Sequence, residues 1–214
     1  MIDKQKVNML LLLVFASLSV AGNTLAYSAL RDAQIIAEFK QELELNHAKI
    51  ARELVHSANW ASVGTISTNE VVKDYPMVNI ISIDDNNASF ISTGIIRFLL
   101  TDLDFTGMDW QSNNKVSFMF TDEQTLNCTN AKKDPMEPTC ARTMISGQVK
   151  KLSKNSPSYN SALDVFIARH PPAKNWIKEH NFYLCELDIQ NIFVLDFYGG
   201  PHQVKVSDYY AINI

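Results

Sequence analysis

The sequence predicts a mainly β fold, a closed β-barrel carrying flanking helices. Two observations point there. Roughly six or seven short, β-branched runs lie between residues 60 and 198, separated by Pro, Gly, Asn and Asp turn chemistry. Only two segments repeat their apolar residues with a convincing helical period. No internal repeat, low-complexity tract or interdomain linker breaks the 214 residues, so one core is expected.

The chain opens with Lys4 and Lys6 ahead of a charge-free apolar run from Met9 to Ala21, and small residues follow to Ala26. That layout reads as a secretory signal peptide over residues 1–26. The run of about 13 residues is shorter than the roughly 20 that cross a bilayer. No membrane span is therefore expected once the leader is removed. Residues 27–50 read as an N-terminal helical extension and residues 51–214 as the barrel domain. Within 34–57, Ile36, Phe39, Leu43, Ile50 and Leu54 recur at helical spacing. His47 falls on the same stripe and reads as a satisfied, partly buried histidine.

Strands are expected at 60–68, 77–83 and 89–93, the last pairing back across a turn at Asp84-Asp85-Asn86-Asn87. Asp84 and Asp85 read as part of that solvated turn. The run 115–121 places Val116, Phe118 and Phe120 on one face, the mark of a half-buried strand. The run 141–152 is another strand, with Gly147 marking a bulge or a close backbone approach. Tyr159, Leu163, Phe166 and Ile167 define an amphipathic helix over 156–170, ended by Pro171-Pro172. Two further strands, 182–190 and 191–198, meet near Gln190-Asn191.

Composition narrows function. The net charge is −4 and acids and bases are interspersed, so no basic stripe exists to neutralise a nucleic-acid backbone. An exported chain meets an oxidising compartment, where Cys128 and Cys140, flanking a polar loop, are expected to form a disulfide. Cys185 alternates with apolar neighbours and reads as an inert core thiol. Asn87-Ala88-Ser89 and Asn127-Cys128-Thr129 are glycosylation sequons. The five histidines show no metal-binding spacing and there is no Cys-x-x-Cys, so no metal site is expected. No nucleophile elbow marks a catalytic residue. The segment Phe193 to His202, FVLDFYGGPH, ends a strand in strong turn punctuation; it lacks the pattern of a phosphate-binding glycine loop.

Three segments, WASVGTIST, CARTMISGQVKKL and VFIARHPPAKNWIKEHNFYLCELDIQNIFVLDFYGGPHQV, together resemble the CREG family, secreted glycoproteins named as cellular repressors. The resemblance runs from about Ala51 to the C-terminus and includes both loop cysteines and Arg169-His170-Pro171. It implies a split β-barrel of the FMN-binding, pyridoxamine-phosphate-oxidase-like class, secreted or lysosomal, and a homodimer. It also implies a non-enzymatic role in growth control and differentiation, no bound flavin, and glycan-dependent capture by the mannose-6-phosphate receptor. Better-known relatives carry a further sequon where this chain has Asp188-Ile189-Gln190. Flavin-binding cousins need cations after the third strand to pair with the cofactor phosphate. Here Arg97 is the one base in the segment 92–105, followed by Phe98-Leu99-Leu100-Thr101. The rival expectation is a secreted FMN-dependent oxidoreductase in which Arg97 grips the phosphate with help from Ser92 and Thr93.

Overall fold

The computed structural model describes residues 22–214, with side chains from Ala29 onward. Residues 1–21, most of the expected signal peptide, lie outside the described residues. The chain divides between Glu44 and Leu45 into two units. A long helix, α1 (Gly22–Ser57), runs through the division. In the first unit Leu30, Ile35 and Ile36 stand exposed. In the second, Ala48, Ala51, Arg52 and Val55 are buried, at the i, i+3, i+4, i+7 spacing of one helix face. Ala48 and Ala51 let the helix backbone sit close to the barrel, while Arg52 extends from the same face as a fully buried side chain. No helix among the described residues is long and apolar enough to cross a membrane.

The second unit is a barrel of six antiparallel strands. β1 (Trp60–Ile66), β2 (Pro76–Asn86), β3 (Ser92–Leu100), β4 (Lys115–Thr121), β5 (Arg142–Lys151) and β6 (Tyr183–Leu195) run in the order β3-β2-β1-β4-β5-β6. Pairing of Arg97–Leu100 with Tyr183–Glu186 closes the ring. A short β7 (His202–Val204) extends the sheet beyond β6. Closure leaves few unpaired edges, the usual solution for an all-antiparallel sheet.

Alternation fixes what faces inward. Val116, Phe118 and Phe120 of β4 point to the core as the sequence predicts, with Phe98 packed 5.1 Å from Phe118, centroid to centroid. Two strands are buried on both faces. Phe98 and Cys185 face the barrel interior, whereas Leu99 and Leu184 face outward beneath α4 (Tyr159–Arg169) and α5 (Ala173–Glu179). That is why Ile95–Leu100 reads as an apolar run interrupted only by Arg97 rather than an alternating one.

Three expectations change. The strand expected at 89–93 begins at Ser92 and runs on to Leu100, because β2 continues through Asp84 and Asp85 and the turn falls at Asn87–Ile91. The two strands expected at 182–198 are one continuous β6, whose first part pairs with β3 and whose remainder pairs with β5 and β7. Small helices α2 (Phe105–Ser112), α3 (Asn127–Asn130) and α6 (Val206–Ala211) were not visible as periodic patterns, being too short to show one.

Candidate functional site

The β2–β3 hairpin carries every residue expected to touch a flavin phosphate, and it is the most highly charged buried region of the described fold. Asp84 and Asp85 are both fully buried, a correction to the solvated turn expected from their sequence. Adjacent strand residues normally face opposite sides, and both are covered here. The register shifts between Asp84 and Asn86, and α4 packs against β2.

Each carboxylate is held by several donors. Asp85 accepts Ser92 Oγ at 2.5 Å and lies 2.9 Å from His56 Nδ1. Asp84 accepts Asn86 Nδ2 at 2.8 Å and stands 3.8 Å from Arg97 Nη1. Arg169 Nη1 lies 3.8 Å from Asp84 and 3.7 Å from Asp85. Arg52 donates to Ser92 Oγ at 2.9 Å and to the Ser92 and Thr93 carbonyls at 3.2 and 3.1 Å. Close approach of that guanidinium depends on Gly94: its φ is +74°, and a Cβ there would lie 2.5 Å from Arg52 Nη1.

The three expected phosphate-gripping residues are therefore brought together, and all are engaged. Arg97 Nε donates to Glu186 at 2.9 Å and its Nη1 to the Asn86 carbonyl at 2.6 Å. Ser92 is bound to Asp85, and Thr93 Oγ1 donates to the Asp85 carbonyl at 2.7 Å. Two guanidiniums, of Arg97 and Arg169, face three carboxylates, of Asp84, Asp85 and Glu186, and a third, of Arg52, reaches Asp85 through the Ser92 hydroxyl. Formal charge is already balanced before any ligand arrives.

Arg169 and His170 explain part of the family-like motif. Arg169 Nη2 donates to the His56 and Ala58 carbonyls, each at 2.8 Å, satisfying orphan acceptors at the end of α1. His170 Nε2 lies 2.8 Å from the Ile83 carbonyl and so carries the proton there. Burial pushes the His170 pKa down, with the neighbouring Arg169 adding to the effect and the Ile83 bond opposing it. A shallow depression lined by His56, Asn86, Phe90, Ala168 and Arg169 lies over this network.

The covalent and modification sites fall as follows. Cys128 and Cys140 form a disulfide. Cys185 is free and buried, and burial pushes its thiol up to about 12, which suits the inert role read from the sequence. Asn87 and Asn127 are both exposed. Asn87 Oδ1 accepts the Ser89 and Ile91 amides at 2.9 and 3.1 Å, a tight turn that presents the side-chain nitrogen outward.

Sequence reasoning missed the network because its members are Arg52, Asp84-Asp85, Arg97, Arg169 and Glu186, scattered along the chain with no common spacing. The one usable signal was Arg169-His170-Pro171, an arginine at a helix end. It likewise could not foresee that His47, Asp196 and His202 come together around the FVLDFYGGPH turn, their ligand atoms within 4.8 Å of one another.

Solved structures place the barrel in a class. A heme-binding protein from Mycobacterium smegmatis superposes with a TM-score of 0.59 at 16% identity, over 77% of this chain and 60% of that one. A Clostridium acetobutylicum protein of the pyridoxinephosphate oxidase family superposes with a TM-score of 0.52 at 14% identity, over 78% and 99%. At such identities the likeness concerns fold alone, and the fold is a split barrel of the pyridoxamine-phosphate-oxidase-like class. Sequence goes further. The family described as CREG, beta-barrel matches residues 42–211. Protein CREG1 of Mus musculus is 35% identical over 78% of this chain and 74% of its own length. The Homo sapiens protein of that name is 33% identical over 78% and 74%. The chain belongs to the CREG family.

Proposed function

We propose that this CREG family member is an exported glycoprotein that works as a homodimeric interaction module, without bound flavin and without catalysis of its own. The observation that carries the reading is the state of Arg97. Its guanidinium is committed to Glu186 and the Asn86 carbonyl, and it is 8% exposed. A flavin phosphate at this point would have to displace the partly exposed Glu186 carboxylate and then sit beside the buried Asp84 and Asp85. A dianion brought next to two buried carboxylates meets like-charge repulsion in a poorly solvated place, which opposes binding.

Export rests on the leader pattern at 1–26, the disulfide, and the exposed sequons at Asn87 and Asn127. These features suit secretion and delivery to endosomes and lysosomes, with glycan at those two asparagines serving a mannose-6-phosphate-type receptor. The family resemblance supplies the role in growth control and differentiation. The net charge of −4 and the lack of a Lys/Arg cluster in the sequence speak against direct contact with nucleic acid.

The rival reading, an FMN-dependent oxidoreductase, draws on the same fold class and on Arg97, Ser92 and Thr93. Purified protein separates the two. The proposal expects a colourless preparation that does not take up added FMN at micromolar concentration in a fluorescence titration. Flavin absorption bands in the purified protein, or saturable uptake abolished by Arg97→Ala, would establish the oxidoreductase instead.

A further inference from the structure

We propose that His47, Asp196 and His202 form a binding site for a divalent transition-metal ion of borderline softness, of which zinc is the simplest probe. The site ties the barrel-facing part of α1 to the β6–β7 hairpin. It is separate from the buried network on β2–β3 and independent of the reading of flavin above.

Position comes first. His47 is 6% exposed, on the helix face that meets the barrel. Asp196 directly follows β6, and His202 opens β7 opposite Val194. Asp196 and His202 therefore flank the turn that contains Gly199 and Gly200. These glycines hold φ of +120° and +95° with open space around each Cβ position, so the turn needs them for backbone conformation rather than for a phosphate cradle.

Geometry and chemistry then agree. His47 Nε2 stands 3.7 Å from Asp196 Oδ1. The two imidazoles stack with centroids 4.1 Å apart and planes 11° from parallel, so their edges can turn toward a common point. All three ligand atoms lie within 4.8 Å of one another. Zinc bonds of about 2.0–2.2 Å in tetrahedral array place ligand atoms roughly 3.4 Å apart. Small side-chain rotations cover the difference.

Asp196 Oδ1 supplies the independent argument: it is buried and accepts no hydrogen bond. An unsatisfied buried carboxylate oxygen is costly. One dication would engage both imidazoles and the carboxylate together. Two nitrogens and one oxygen are a poor set for calcium or magnesium, which take oxygen ligands, and a good one for zinc, copper or nickel. Asp196 and His202 are half-exposed, which leaves a fourth position open to water.

The test uses untagged, metal-stripped protein titrated with zinc by calorimetry and with cobalt by visible absorption. Expected are one ion per chain with micromolar or tighter affinity, cobalt bands of imidazole–carboxylate coordination, and a raised melting temperature. Asp196→Asn and His202→Gln should each weaken zinc binding by about 100-fold or more, while the apo proteins melt close to the wild type. His180→Gln, at an exposed histidine elsewhere, should bind zinc as the wild type does. The proposal is overturned if wild-type protein takes up no stoichiometric zinc, or if Asp196→Asn and His202→Gln bind it as tightly as wild type.

Discussion

At the scale of single residues, burial rather than sequence neighbours decides behaviour. Asp84 and Asp85 look like turn residues because Asn86, Asn87 and Ala88 follow them, yet both lie at the centre of a charge-balanced network. Nothing local announces this, since the arginines paired with them lie on β3 and α4. Cys185, by contrast, was legible, because apolar neighbours on a strand imply an interior thiol. His170 yields the first prediction. Its folded pKa lies below the roughly 6.5 of a free imidazole, so between those values the unfolded chain binds more protons than the folded one. Stability should then fall as pH drops below about 6.5 and level off once the folded pKa is passed. His170→Gln keeps a donor for the Ile83 carbonyl without the titration. Urea unfolding at pH 7 and pH 5 should show a smaller loss on acidification in that variant than in wild type; equal losses would assign the pH response to other groups.

At the scale of elements, strands with one wet face were readable and strands covered on both faces were not. β4 and β5 alternate cleanly and fell where the sequence put them. β3 and the first half of β6 are sandwiched between core and helices, so alternation disappears and their ends were misplaced. Gly147 is the most informative single letter in β5. The register between β5 and β6 shifts at Ser146/Gly147, and a Cβ on Gly147 would sit 2.2 Å from the Asp188 carbonyl oxygen. That contact is with backbone, which cannot swing aside as a side chain could. Gly147→Ala is therefore expected to destabilise by at least about 1–3 kcal/mol, lowering the melting temperature by several degrees. A melting temperature unchanged in differential scanning calorimetry would mean that the bulge can widen without cost.

At the scale of the whole molecule, the outer face of the barrel bears on the proposed homodimer. Cross-strand register aligns Ile80, Ser62, Met119, Met144 and Phe193 in one row across β2, β1, β4, β5 and β6. Ile80, Met119 and Phe193 are exposed, and Val78 at 72% exposure stands beside them on β2. The adjacent row, Gly64, Ser117, Ser146 and Asn191, is small or polar, and Ser117 and Ser146 bond each other at 2.7 Å. Four strand spacings make the face about 19 Å wide. A shallow face of methionines beside small side chains suits a second copy related by a two-fold axis, since one patch then covers itself. Because a two-fold axis repeats each substitution, Met119→Glu would bring two new charges into the same contact and desolvate both. Light scattering should report a dimer for wild type and a monomer for Met119→Glu, with the variant's circular dichroism unchanged because Met119 points away from the core. A wild-type monomer at tens of micromolar, or a Met119→Glu dimer as tight as the wild type, would place the partner of this face elsewhere.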